Sequence, residues 1–497
     1  MSRLLTNSLF NLLGQVLPLV IALVAWPLAI GGLGLELAGV LTFAWTMLGY
    51  FAFFDLGLGR GTTKFFAEAL QQKRHDDLAD ILWVSFMLNV AIGLLTLAVL
   101  MLSASTLVHA LNVPAARVEL TTTVFRVLAL SIPAVTVTAV LRGILEAAER
   151  FDLVNLIKVP SNSALFLIPA VCIPLGMDLV PIVALMVASR WATVIAYFWS
   201  VARRFPSPVR AFTFRPARAG ALLRYGGWVS VSNLMNPLVT YGERFLIPGM
   251  LSLTMLTYYT APFELVARMA IIPASISLTL FPRFSGGGLA GDADARALLV
   301  RPSIYLVLVM TPLALVFLAF APEILHLWLG GDFADVAATM LMVLAVSFFF
   351  NALAYVPLAA LQGMGRPDVK AWLDIVAALL FGALCWFGIT WFGITGAAWA
   401  KLAVTLLDTV VLLIFALRLL GVPGGIFLSD GMGSLLALSC AMFALAFAAT
   451  QMDLPILVRA LLFTSLLAGF LLRFWRHAAT DDDRARFRLA VARWRSA

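Results

Sequence analysis

The chain is 497 residues long, 62% hydrophobic and only 12% charged, about half the share of charge usual in a soluble domain. So little polar surface cannot coat a core of this size, which excludes a soluble enzyme, a DNA-binding module and a disordered scaffold. The net charge of +8 comes from 34 Lys and Arg against 26 Asp and Glu, and in a membrane protein such an excess is first a matter of topology.

Apolar runs of about 20 residues, broken by short charged stretches, predict an all-α polytopic membrane protein. Fourteen spans can be drawn: 8–30, 38–54, 78–102, 121–141, 153–176 and 179–201, then 222–246, 257–281, 303–321, 336–360, 371–391 and 396–417, and finally 433–450 and 456–474. The first run follows Arg3 with no small-residue cleavage site behind it, so it reads as a span rather than a signal peptide. An even number of spans puts both termini on one side. With that side cytoplasmic, 27 of the 34 cations fall on inner loops and the tail, and one, Arg117, falls on an outer loop. The same split accounts for the basic balance without nucleic acid. The longest outer loops, 103–120 and 322–335, are too short to hold a domain. Cys172, Cys385 and Cys440 lie in separate apolar runs, so no disulfide framework is indicated. Prolines inside the spans, among them Pro133, Pro169, Pro237, Pro273 and Pro312, predict bent helices, although proline is common in membrane helices generally.

The chain reads as duplicated. Leu145 to Arg150 follows span four and Leu361 to Arg366 follows span ten, and both segments leave a helix and end in arginine. Tyr50 with Asp55 to Arg60, and Tyr259 with Glu264 to Arg268, repeat at a similar offset. Two six-helix units of like orientation follow, related by a pseudo-two-fold axis along the membrane normal. The expected divisions are 1–201 for the N-lobe, 202–221 for a linker, 222–420 for the C-lobe, 421–475 for two further spans and 476–497 for a tail. In that tail Phe487, Val491 and Trp494 share a face apart from the arginines, the pattern of a basic amphipathic helix on anionic lipid.

Signs of catalysis are missing. The sequence has no GxxxxGK[ST] phosphate loop, and the Gly57, Gly59, Gly61 stretch ends a membrane helix instead of following a strand. His75, His109, His326 and His477 are scattered, so no metal set and no cofactor is expected. What remains is charge inside the membrane, which costs about 2.5–3.5 kcal/mol when alone at the bilayer centre. The set is Arg126, Arg190, Arg244, Arg268 and Lys401 with Glu243, Glu264 and Asp408. Glu264 and Arg268 are one helical turn apart; Lys401 and Asp408 are two turns apart on one face. Either pair could be a self-neutralising internal ion pair or part of a pathway. Arg126 and Arg190 have no carboxylate at such spacings and read as lining a cavity, the alternative being a side chain that snorkels to an interface. Five cations against three carboxylates suit an anionic substrate, and arginine forks suit phosphate. Asn7, Asn11, Gln15, Asn233 and Asn236 near the starts of spans one and seven either line a pathway or join helices by hydrogen bonds.

Asn11, Gly14, Pro18, Gly32-Leu-Gly34-Leu-Glu36, Gly39, Tyr50 and Asp55-Leu-Gly57-Leu-Gly59 open the chain in a way that resembles bacterial polysaccharide (O-antigen, Wzx-type) flippases of the multidrug/oligosaccharidyl-lipid/polysaccharide (MOP) exporter superfamily. The stretches Tyr241 to Pro248, Tyr259 to Glu264, Leu280 to Arg283 and Gly363 to Arg366 continue the resemblance through span twelve. The resemblance implies two six-helix lobes around a central cavity, with two trailing helices. It also implies alternating access in a bacterial inner membrane, a substrate of undecaprenyl-pyrophosphate-linked oligosaccharide and a proton or sodium gradient as driving force. On that reading Arg126, Arg190, Arg244, Arg268 and Lys401 bind substrate, and Glu243, Glu264 and Asp408 pair with them or bind the coupling ion. The partners are then the lipid bilayer, the lipid-linked glycan and other polysaccharide assembly proteins. Glu243 departs from the family, where Asp often precedes the arginine, and keeps the charge. A drug or cation antiporter of the same superfamily and a membrane glycan polymerase remain alternatives.

Overall fold

The computed structural model describes residues 3–51, 57–213, 220, 240–285, 296–421, 423–429, 431–452, 454–481 and 484. The helices are α1 (Arg3–Phe51), α2 (Leu58–Gln71), α3 (His75–Ala110), α4 (Val118–Ala129), α5 (Ile132–Ala147), α6 (Phe151–Cys172), α7 (Leu179–Arg204) and the short α8 (Pro206–Arg210). They continue with α9 (Glu243–Met250), α10 (Leu253–Ala267), α11 (Ile271–Ser285), α12 (Arg301–Leu329), α13 (Gly331–Gly363), α14 (Pro367–Phe392), α15 (Ile394–Leu420), α16 (Met432–Gln451) and α17 (Ile456–His477). No strand occurs among the described residues, and twelve candidate spans are long and apolar enough to cross a membrane. The chain is a multi-pass helical membrane protein. Side chains such as Leu102, Ile195, Leu379, Trp391 and Leu461 stand exposed on it, as lipid-facing positions do.

The twelve candidate spans among the described residues fall short of the expected fourteen, and the difference lies in two places. Spans one and two are joined in α1, which is broken only at Gly34, where φ 78° and ψ 163° leave the helical region. That conformation is open to glycine and strained for other residues. Span seven falls largely on 221–239, outside the described residues, as do Asn233, Asn236, a minor part of the linker and most of the basic tail. The two loops expected on the outer side are shorter than drawn, because α3 runs on to Ala110 and only Gly330 separates α12 from α13.

Helix breaks sit just before prolines. Leu130 and Ser131 interrupt the span ahead of Pro133, a tight turn at Arg268–Ala270 precedes Pro273, and Phe320 leaves helical geometry two residues before Pro322. Proline lacks an N–H, crowds the carbonyl four residues back and disfavours helical geometry in the residue before it. Pro237 lies outside the described residues.

The contacts form two compact units, 1–260 and 261–497. In the first, α1 packs along α6, and α5 packs on α2, α3 and α7. Segments expected at one end of the spans meet there: Arg117 pairs with Glu36 at 3.9 Å, and the Asn112 amide donates to the Gly249 carbonyl at 2.7 Å. In the second unit, α13 packs on α12 and α15, and α14 lies along α15.

The duplication extends to the helix ends. The span 115–147 and helix α13 begin and end at the same offset that separates Arg150 from Arg366, and α7 and α15 end at that offset too. The turns between helices match bond for bond. Arg150 N–H donates to Leu145 O, and Arg366 N–H to Leu361 O, both at 2.9 Å. Glu149 and Gly365 both take positive φ, at 57° and 76°. Arg150 then grips Asp152 and Arg366 grips Asp368, with Nε to Oδ1 distances of 2.8 and 3.0 Å.

Glycines allow the closest crossings. A Cβ on Gly388 would lie 2.6 Å from the Gly396 carbonyl oxygen, so α14 and α15 touch backbone to backbone. Gly396→Leu is expected to push these helices apart and destabilise the protein by about 1–3 kcal/mol, the usual cost of overpacking. A lowered thermal midpoint in detergent would show it, and an unchanged midpoint would refute the close crossing.

Candidate functional site

A cavity of about 340 Å³ lies within the first unit, inside the roughly 300–1,000 Å³ range of small-molecule sites. Four helices build it: α1 supplies Trp45, Leu48 and Gly49, and α5 supplies Val135, Thr138, Ala139 and Arg142. From α6 come Lys158, Ser161, Asn162 and Leu165, and from α7 come Arg190, Thr193 and Tyr197. Among the described residues, three cations and no carboxylate line it.

These cations are stepped along the helix axes. At about 1.5 Å per residue, Arg142 and Lys158 sit about 8 and 10 Å in from the adjoining ends of α5 and α6. Arg190 sits about 21 Å from the end of α7 that shares their level. Arg142 is half-occupied by Glu146, one turn on, at 3.4 Å. Lys158 is exposed. Arg190 donates one hydrogen bond, from Nη1 to Ser161 Oγ at 3.3 Å, and its buried Nε has no partner. A guanidinium carries five donors, and charged hydrogen bonds are normally about 2.7–2.9 Å, so Arg190 keeps most of its capacity for a ligand.

The neighbouring polar groups hold Arg190 in place. Thr193 Oγ1 lies 2.8 Å from Ser161 Oγ, which orients the hydroxyl that faces the guanidinium. Tyr197 donates to the Val154 carbonyl at 3.2 Å, tying α7 to α6. Trp45 forms a fixed wall: its indole N–H donates to the Leu165 carbonyl at 2.9 Å, and its ring packs on Trp26 and Phe166. A stepped row of cations beside hydroxyls and a flat ring can hold a phosphate group with a polar, ring-shaped attachment.

Of the residues expected from sequence, only Arg190 lines this cavity. Arg126 is exposed on α4 and shares a stripe with Glu119, Thr123 and Leu130. A lipid-facing stripe would be apolar, so a polar one points to water. Arg244 and Glu243 are buried and do not line it; Arg244 Nη1 donates to Thr46 Oγ1 of α1 at 3.2 Å and the guanidinium lies 4.5 Å from the Tyr241 ring. In the second unit Arg268 and Glu264 bond at 3.0 Å. Lys401 is buried with its ammonium 4.8 Å from the Phe381 ring and 5.7 Å from that of Phe263. Asp408 does not pair with Lys401. Its partner is Lys370 at 3.0 Å, on the neighbouring helix. Spacing along one helix could not show a cation brought in from another. Arg142 and Lys158 were missed because both were counted as inner-loop cations, yet Lys158 falls inside the bounds drawn for span five.

A family model described as polysaccharide biosynthesis protein matches residues 62–338, more than half of the chain. The chain belongs to this polysaccharide biosynthesis family. A Shigella flexneri protein described as "Putative O-antigen transporter" is 26% identical over 409 residues, covering 82% of this chain and 96% of the relative. Two solved structures share this family member's fold with a TM-score of 0.70. One is a multidrug resistance MATE transporter of the MOP superfamily in an inward-facing conformation, 15% identical, covering 82% of this chain and 98% of the other. The second is the lipid II flippase MurJ in an inward closed conformation, 12% identical, covering 95% and 99%. At such identities the likeness is one of fold, the fold expected from the sequence.

Proposed function

We propose that this chain is a transporter, not an enzyme, that moves polysaccharide precursors across the membrane. The cargo is an undecaprenyl-pyrophosphate-linked oligosaccharide, carried from the inner to the outer leaflet of a bacterial inner membrane by alternating access. The observation that carries this reading is the cavity of Arg142, Lys158 and Arg190, in a member of a polysaccharide biosynthesis family. Pyrophosphate needs positive charge to leave the headgroup layer, and the stepped cations supply it from the helix ends to mid-membrane. The relative described as an O-antigen transporter supports the cargo class, and the fold shared with a flippase supports the reaction class.

In this reading Arg190 is the deepest phosphate ligand, Arg142 and Lys158 are the entry ligands, and Trp45 is a platform for a sugar ring. Arg126 lies on a watered face and adds to the field that draws the anion. Arg244, Arg268 and Lys401 do not line this cavity and assist the cargo elsewhere, with Glu243 and Glu264 as their charge partners. The lobe boundary at 202–221 and cytoplasmic termini complete the proposal.

The fold is shared with a drug transporter, which keeps a cation antiporter as a second reading. A cationic lining disfavours that cargo. Deleting the gene separates the two: the proposal expects lipid-linked repeat units to accumulate in the inner leaflet and surface glycan to fall. Normal outer-leaflet delivery, in a strain without a second flippase, would reject it, and drug sensitivity with normal glycan would favour the antiporter.

A further inference from the structure

The helix pair α6–α7 that lines the cavity has its counterpart, one internal repeat further on, in α14–α15. Through the offset that relates Arg150 to Arg366, Lys158 corresponds to Asp374 and Thr193 to Thr409, while the Arg150–Asp152 clasp corresponds to Arg366–Asp368. The charge in the corresponding place has changed sign. Lys370 Nζ lies 2.9 Å from Asp374 Oδ1 and 3.0 Å from Asp408 Oδ2, with Asp408 Oδ1 at 3.2 Å. All three side chains are largely enclosed, at 16%, 11% and 18% exposed. One ammonium between two carboxylates leaves one negative charge uncompensated inside a pair of membrane-spanning helices.

Among the described residues, the surroundings do not cancel it. On α14, Arg366 is held by Asp368. On α15, Lys401 lies two turns from Asp408 among aromatic rings. Helix α13 meets this pair with Ala354 and Leu361, packed against Leu412, Val369 and Leu373. Its titratable residues are Asp332 and Asp335, at its far end, and Tyr355, and none is hydrogen-bonded or ion-paired to the cluster. Two carboxylates sharing one site in a low-dielectric medium do not both ionise freely, and a proton is the smallest ligand that neutralises them. A metal ion would need several oxygen ligands, which the apolar face of α13 does not offer.

We propose that Lys370, Asp374 and Asp408 form a proton-binding site. The proton adds to a carboxylate oxygen of Asp374 or Asp408, no bond is broken, and Lys370 stays charged as the fixed counter-ion. Asp374 and Lys370 share a helix, whereas Asp408 is reached across to α15. Protonation of Asp408 therefore loosens the tie between α14 and α15, and its loss restores it. Proton binding stands independently of the cargo; its use as the driving force rests on the reading given under Proposed function.

Infrared spectroscopy of the purified full-length protein tests this directly through the C=O stretch of protonated carboxyl groups. At neutral pH the wild type should show a protonated-carboxyl band that is lost in both Asp374→Asn and Asp408→Asn, since either change leaves a neutral lysine–carboxylate pair. Lys370→Gln removes the counter-ion, so its band should persist to higher pH than in the wild type. Absence of the band from wild-type protein would overturn the site whatever the variants do. So would a band unchanged in both Asp variants, or one removed at fixed pH by sodium chloride but not by choline chloride, which would assign the site to a metal ion. None of these readings depends on transport, so they fail separately from the proposed function.

Discussion

Arg190→Gln is expected to lower transport of a pyrophosphate-linked glycan by about ten- to a hundredfold with the fold intact. The reasoning starts from what the guanidinium leaves unused. It makes one long bond to Ser161 and its Nε has no partner. A ligand phosphate would gain charged hydrogen bonds, each worth about 1.5–3 kcal/mol, and each step of about 1.4 kcal/mol is a tenfold change in affinity. Glutamine keeps a donor for Ser161 but loses the charge and the fork. Arg190→Lys should fall between the two, since an ammonium keeps the charge without the bidentate geometry. Initial transport rates in vesicles, compared at equal protein content, give the answer, and rates within twofold of wild type for Arg190→Gln would show that this arginine does not meet the cargo.

Arg459→Met is expected to destabilise the second unit by about 2–3 kcal/mol, a discounted form of the cost of breaking a buried ion pair. Arg459 Nε donates to Leu454 O at 2.9 Å and Nη1 to Ala319 O at 2.8 Å, and the same guanidinium pairs with Glu323. This one side chain ties α17 to α12. Its removal leaves a carboxylate and two carbonyls without their donor, and breaking a buried pair from one side costs about 3–5 kcal/mol. Glu323 is one-third exposed, so water recovers part of that loss. The double variant Arg459→Met with Glu323→Met should regain much of the difference. Thermal midpoints in detergent provide the comparison, and a single variant as stable as wild type would contradict this role.

The parts of the fold that sequence revealed are those governed by local rules. Apolar run length located most of the spans seen among the described residues, and Pro133 and Pro273 marked two of the helix breaks, whereas α6 runs on through Pro169 and the break in α12 lies at Phe320, eight residues past Pro312. The internal repeat was read from the positions of Arg150 and Arg366, and the two turns carry matching hydrogen bonds and Asp clasps. The candidate site was harder to read because cavities are made by neighbours distant in the chain. Ser161 meets Arg190 across 29 residues, and Lys370 meets Asp408 across 38. Spacing rules within one helix proposed Lys401 for Asp408 and had no means of proposing Lys370. Arg142 and Lys158 carried a signal that was masked by another. Cations near inner helix ends serve topology by default, so two that also line a cavity look no different from the rest. Arg459 likewise gave no sign of Glu323, 136 residues away.

The central claim is that the cationic cavity carries a pyrophosphate-linked glycan across the membrane. Purified protein in liposomes holding a labelled undecaprenyl-pyrophosphate oligosaccharide offers the direct measurement, with an added glycan-modifying enzyme reporting how fast the sugar becomes accessible on the far leaflet. The account predicts exposure well above the rate of protein-free liposomes for wild type, and a rate near that background for Arg190→Gln. Exposure at the protein-free rate with wild-type protein, or equal rates for wild type and Arg190→Gln, would contradict it.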